Sequence, residues 1–206
     1  MHDEYTTIKK KSTAEIKVIG SRFLATAFPI ASKHDAEQYL AAVRKEFWDA
    51  THNCFAYRMG VEGSQFRFND DGEPGGSAGK PILASIDKLA LTDVLVVVTR
   101  YFGGTKLGVG GLVRAYAQAA DQALTNAEKL VKYMTQLLVA TFPHNQISNV
   151  MHVISRHGAQ IVDTVYDEEV HVTLEIRLSR VEELRAALVN HTSGNIAFKP
   201  SPTQHA

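Results

Sequence analysis

The sequence has little of most features that mark a specialised chain. Among its 206 residues there is one cysteine, Cys54, which excludes an internal disulfide framework. Its longest unbroken apolar run, Val94–Val98, is far too short to span a bilayer. Neither sign of charge is in excess, since Lys+Arg and Asp+Glu each total 22. Dividing the chain near residue 130 leaves 16 basic and 15 acidic residues on one side, and 6 and 7 on the other. Neither part is a basic module by bulk charge, which argues against a nonspecific duplex-DNA binder but leaves room for a local basic patch. The opening MHDEYTTIKKK has no apolar segment behind its lysines, so no secretory signal is expected. There is no internal repeat and no low-complexity tract. These absences predict a cytoplasmic globular protein without a membrane partner, and its length suffices for one large domain or two small ones.

What is present is concentrated in residues 67–114. There RFNDDGEPGGSAGKP, the apolar run VLVVV and TRYFGGTKLGVGGLVR place two glycine-rich loops, the acids Asp70, Asp71 and Glu73, and the cations Lys80, Arg100, Lys106 and Arg114 around one buried-strand signal. Backbone that must turn sharply and also lie close to a ligand or partner accounts for such crowding.

Around this stretch the periodicity predicts an α+β chain. A strand signal over Ala14–Pro29, broken at Gly20, implies a hairpin or a bent strand. Ser32 with Asp35 caps a helix whose buried stripe is Ala36, Leu40, Val43 and Phe47. Asn53–Met59 and Gln65–Phe68 read as a hairpin. Pro81 suits the start of a helix, Val94–Phe102 is a central covered strand, and a helix follows over roughly Leu112–Ala127. Its Ala115, Ala119, Ala120 and Ala123 allow close packing on a sheet. Trp48 is assigned to the core. From about Lys129 the order is strand 131–142, helix 146–156, strands 159–166 and 170–178, helix 181–190 and strand 196–199. A Ser179/Glu182 capping box is expected on the last helix. This βαββαβ order is ferredoxin-like. The domains are therefore placed at 1–128 and 129–206, and the tail KPSPTQHA is expected to fray.

The strand–loop–helix unit VLVVVTRYF–GGTKLGVGG–LVRAYAQAA has the layout of an anion site. Gly103, Gly104, Gly108, Gly110 and Gly111 leave backbone amides unobstructed, and the helix N-terminus adds partial positive charge. Lys106 and Arg114 supply full charges, with Arg100 and Lys80 in reach. The spacing is neither a Walker loop nor a dinucleotide fingerprint. The bland alternative is that these glycines only allow a tight turn and close helix packing. Asp70, Asp71 and Glu73 form a cluster that suits a hard cation, a base, a polar turn or the buttressing of the loops by pairing with Arg100 or Lys80; the structural readings are preferred to a metal. His52 and Cys54 point the same way from one strand, without the further ligands of a zinc site, and Cys54 is read as core rather than nucleophile. The polar face His171, Thr173, Glu175 and Arg177 lacks the exposed aromatics of an RNA-stacking sheet.

SRF at Ser21–Phe23, ATHNCFAY at Ala50–Tyr57, NDDGEPGGSAGKPIL at Asn69–Leu83 and VVVTRYFGGTKLGVGGLVRAY at Val96–Tyr116 together resemble the IMPACT/YigZ family, in its bacterial two-domain form. The resemblance implies a first domain with the βαββ-type fold of the second domain of a small-subunit ribosomal protein, shared with GHMP-type kinases, and a ferredoxin-like second domain. Eukaryotic relatives are implicated in control of translation initiation. The resulting expectation is a non-enzymatic, translation-associated regulator that needs no cofactor or metal. It binds RNA, the ribosome or a translation factor through Lys80, Arg100, Gly103, Gly104, Lys106, Gly108, Gly110, Gly111 and Arg114, with Asp70, Asp71 and Glu73 as loop-buttressing acids. The rivals are an enzyme acting on a nucleotide-like substrate with Asp70 or Asp71 as base or magnesium ligand, and a protein-binding adaptor.

Overall fold

A computed structural model describes residues 3–200, which fall into two units: residues 5–132, and residues 133–200 together with Asp3 and Glu4. In chain order the elements are β1 (Glu4–Ile8), β2 (Ser12–Val18), β3 (Ser21–Pro29), α1 (Lys33–Glu46), β4 (His52–Met59), β5 (Gln65–Asn69), α2 (Gly79–Lys88), β6 (Val94–Tyr101), α3 (Gly108–Asn126) and β7 (Lys129–Tyr133). There follow β8 (Thr135–Phe142), α4 (Ile147–His157), β9 (Gln160–Tyr166), β10 (Val170–Arg177), α5 (Val181–His191) and β11 (Ala197–Pro200).

In the first unit five antiparallel strands form one sheet in the order β2-β3-β6-β4-β5. The apolar run becomes β6, the middle strand, and is buried on both faces because both are covered. Val94, Val96 and Val98 pack with Phe23, Cys54, Ile82, Ile86 and the buried alanines of α3, while Leu95 and Val97 pack with Phe28, Phe55, Tyr57 and residues of α1. Ala115, Ala119, Ala120 and Ala123 are all buried, so α3 lies close on the sheet. The Ser32/Asp35 capping box starts α1, each side chain bonding the other residue's amide. β1 and β7 pair as a separate two-stranded sheet.

The second unit has the ferredoxin-like order, β11-β8-β10-β9, with every pair antiparallel. Val170, Val172, Leu174 and Ile176 of β10 share a core with Val150, Val153 and Ile154 of α4 and Val181, Leu184 and Leu188 of α5. Its keystone is the buried Asp3 carboxylate. Arg177 Nε donates to both of its oxygens at 3.0 and 2.8 Å, Arg177 Nη2 at 2.7 Å, and the Ser179 amide at 2.9 Å. The Arg177 guanidinium also lies 4.0 Å from the Tyr133 ring centroid.

Several expected boundaries move, each for a local reason. α3 begins at Gly108 rather than Leu112, so Gly108, Gly110 and Gly111 form its first turn instead of the loop. The expected strand 131–142 breaks at Met134, whose N–H goes to Asp3 O and whose C=O accepts from Leu178. The Ser179/Glu182 box does not form: a 3₁₀ turn over Leu178–Arg180 precedes α5, and the Ser179 amide is taken by Asp3. β1 has no counterpart among the predicted elements. Of the tail expected to fray, Lys199 and Pro200 belong to β11, and the rest lies outside the described residues.

Arg177 foremost, with the Ser179 amide, holds the Asp3 carboxyl well below its usual value against the cost of burial. A depressed carboxylate stabilises the fold above its unfolded pKa and loses that effect as pH falls through the folded one. Asp3→Ala is expected to destabilise the second unit by about 2–3 kcal/mol at neutral pH. In urea denaturation with hydrogen exchange read over β10 and α5, the gap from wild type should narrow progressively below about pH 4.

Candidate functional site

The two glycine-rich loops lie at the same end of the first unit's sheet, where β4 begins and β6 ends. One joins β5 to α2 and the other joins β6 to α3. Alternation along β6 places Arg100 on the face already occupied by Val94, Val96 and Val98, so its side chain points into the core. There it is 5% exposed, between the rings of Phe23 and Phe102, with its guanidinium carbon 5.4 and 5.5 Å from their centroids.

Glu73, from the first loop, meets this buried cation. Its Oε1 accepts from Arg100 Nη1 at 2.6 Å and from the Tyr116 hydroxyl at 2.8 Å, and Arg100 Nη2 donates to Ser21 Oγ at 3.4 Å. His52 Nδ1 lies 2.7 Å from the Asp71 carbonyl oxygen, an acceptor, so the proton sits on Nδ1 and Nε2 faces Glu73 Oε1 at 3.9 Å. Cys54 Sγ lies 3.0 Å from the Asp70 carbonyl oxygen and 3.4 Å from the Tyr116 hydroxyl. Burial pushes the Cys54 thiol up to about 12, which keeps it protonated and removes it as a nucleophile at neutral pH. Burial foremost raises Tyr116 as well, leaving its hydroxyl a standing donor to Glu73. Two buried polar atoms of this stretch, Ser77 Oγ and Arg100 Nε, have no hydrogen-bond partner among the described residues.

The two aspartates are spent in the same inward sense. Asp70 Oδ1 accepts from the amides of Ala78 and Gly79 at 3.0 and 2.8 Å, and Oδ2 from Gly76 at 2.8 Å. Burial opposes its charge, but these amides outweigh it and hold the carboxyl below its usual value. The amides at the start of α2 are thus capped by the chain's own carboxylate. Asp71 Oδ2 accepts from the Asn53 amide at 2.7 Å and Oδ1 from Arg44 at 2.8 Å. Among the described residues no group of three or more His, Cys, Asp and Glu side chains is disposed to hold a metal ion.

The second loop is different. Gly103 packs directly on Gly20, and a Cβ there would fall 1.9 Å from the Gly20 carbonyl carbon, so no side chain fits. The Gly103 amide donates to Ser21 Oγ and the Phe102 amide to Thr51 Oγ1, both at 3.1 Å. Beyond Gly103 the chain is exposed through Lys106, and α3 starts from Leu107 with no side-chain cap. Among the described residues no side chain accepts from its first amides, of Gly108, Val109 and Gly110, so the helix keeps its positive end. Lys106 and Arg114 are exposed, and Arg114 Nη1 approaches Gly110. Lys80 is exposed near Gly76 and Asp70.

Two expectations are corrected here. Arg100 is an internal cation neutralised by Glu73, so it is not available to a phosphate. Trp48 is not core: α1 ends at Glu46, Phe47 turns onto the core, and Trp48 is left 82% exposed. The partners Ser21, His52 and Tyr116 were absent from the expected site. The alternation Val94, Val96, Val98, Arg100 was the signal that this arginine must find a buried partner.

The chain matches the family model described as Impact N-terminal domain over residues 19–124 and the Domain of unknown function (DUF1949) over residues 141–195. It is 30% identical to the IMPACT family member YigZ of Escherichia coli, over 85% of this chain and 87% of that one. It is 37% identical to Protein IMPACT of Bos taurus over 43% of this chain and 29% of that protein. A crystal structure described as that of a hypothetical protein superposes with a TM-score of 0.73 at 27% identity, covering 99% of this chain and 100% of the other.

Removing one partner of a buried ion pair leaves the other charge unpaired. Glu73→Ala is expected to cost about 3–5 kcal/mol in chemical denaturation. Arg100→Met combined with Glu73→Leu should recover much of that loss, because the pair costs desolvation in the native state.

Proposed function

The chain belongs to the IMPACT family, and on that footing we propose that it is a translation-associated regulatory protein that binds RNA through the glycine-rich end of its first unit. The single observation that carries this reading is the segregation of charge at that end. Asp70, Asp71 and Glu73 are all engaged by groups of their own chain, whereas Lys80 in the first turn of α2, and Lys106 and Arg114 at the uncapped start of α3, are exposed. A chain with no net charge thereby presents a locally positive surface. Backbone amides and a helix N-terminus add donors suited to phosphate oxygens. The exposed Gly104 and Gly108, with open space where a side chain would stand, let a sugar–phosphate backbone approach closely. The translational setting comes from the family resemblance and the eukaryotic relatives it includes.

The same bookkeeping of partners speaks against an enzyme built on these acids. A general base or magnesium ligand needs a carboxylate with free oxygen lone pairs facing the substrate. Asp70 and Asp71 spend theirs on amides and on Arg44.

Binding of a labelled RNA to the full chain, measured by fluorescence anisotropy over a salt series, tests the proposal. Log affinity should fall linearly with log salt, and Lys106→Ala and Arg114→Ala should each weaken binding several-fold and reduce the slope by about 1. Affinity that ignores both salt and these substitutions would falsify it.

A further inference from the structure

The form of RNA that this surface accepts is written in its aromatic rim, an inference that rests on the reading just given. Four large apolar side chains are exposed around the site: Ile19 in the turn before β3, Trp48 beyond α1, Phe102 after β6 and Val109 in the first turn of α3. The unit's other exposed aromatics, Tyr39 and Phe66, sit toward the opposite end of the sheet. Tyr39 stacks on Phe28 with centroids 4.5 Å apart, and Phe66 lies beneath Arg58. Trp48 is the sole tryptophan and has no aromatic or cationic partner among the described residues. Phe102 is 47% exposed and is backed by the buried Arg100 guanidinium.

Hydrogen bonds tie these rings into one rim. The Tyr101 hydroxyl donates to Asp49 Oδ1 at 2.8 Å, and the Phe102 amide to Thr51 Oγ1. The segment that carries Trp48 is thereby fastened to the one that carries Tyr101 and Phe102. Arg22 lies over the Tyr101 ring, 5.6 Å from its centroid. Open aromatic faces beside a short basic track match the needs of unpaired bases, which stack on rings while their phosphates meet cations. A duplex keeps its base faces within its own stack and has none to offer.

We infer that this surface takes single-stranded rather than duplex RNA, with bases stacked on Phe102 and Trp48 while Lys106 and Arg114 hold the phosphates.

The test uses the full chain and a mixed-sequence RNA of about 12 nucleotides, presented single-stranded or annealed to its complement, at about 0.1 M salt. The single strand should bind about tenfold more tightly than the duplex, and unlabelled single strand should quench the emission of Trp48. Phe102→Ala and Trp48→Ala should each weaken the single strand about tenfold and leave its salt slope unchanged, whereas Phe102→Tyr keeps the affinity. Trp48 is 82% exposed and supports no packing, so the loss in Trp48→Ala reports stacking rather than fold, and Phe102→Tyr confirms that a ring suffices at 102. Equal affinity for both forms, with the alanine variants silent and Trp48 emission unmoved, overturns the stacking inference and leaves phosphate binding intact. Failure of both the single strand and the duplex to bind overturns both readings and directs the surface to a protein partner.

Discussion

The arrangement of the first unit depends on one carboxylate placed against one guanidinium inside the protein. Glu73 reaches in from the loop before α2, Arg100 from β6, Tyr116 from α3 and Ser21 from β3, so four segments distant in sequence meet around a single ion pair. Desolvating both charges is costly, and a well-packed apolar cluster of the same volume would hold the unit together as well or better. What an apolar cluster lacks is direction. Hydrogen bonds from fixed donors set where the first glycine-rich loop lies and hold Phe102 against the arginine, and so define the surface outside.

That interior also decides the electrostatics of the exterior. Every acid of the DDGEP stretch is turned toward an amide, a guanidinium or a hydroxyl of its own chain. Lys80, Lys106 and Arg114 stay in solvent. A sequence with balanced charges thus acquires local polarity through folding. Two helix N-termini at the same sheet end are treated in opposite ways. The amides at the start of α2 are satisfied by Asp70, whereas α3 has no side-chain cap.

Much of this was legible in the residues. The alternation of β10, the stripes of α4 and α5 and the covered run of β6 each state their burial directly, and the second unit's strand order follows from the sequence of elements. The α1 cap was legible because Ser32 and Asp35 act on their own neighbourhood. What stayed hidden depends on contacts between remote segments. The capping pattern at Ser179 and Glu182 gave way because Asp3 takes the Ser179 amide, a partner 176 positions away. The break at Met134 has the same origin. At the site, its position at the end of the strand suggests that Arg100 reaches the anion site, while strand parity places it inside, and parity prevails because β6 is covered on both faces. Trp48 misled in the other direction: its size suggests burial, but it follows the helix rather than belonging to its apolar stripe.

The membership of Asp3 in the second unit has a consequence for biosynthesis. During translation the first unit's elements emerge in nearly unbroken order and can close on one another as they appear. The second unit must instead retain a contribution from Asp3, which precedes the whole of the first unit, and the ion pair that completes it joins positions 174 apart. Its assembly is therefore a late, long-range event, and an alteration at Asp3, on the far side of the first unit in sequence, would be felt in the second.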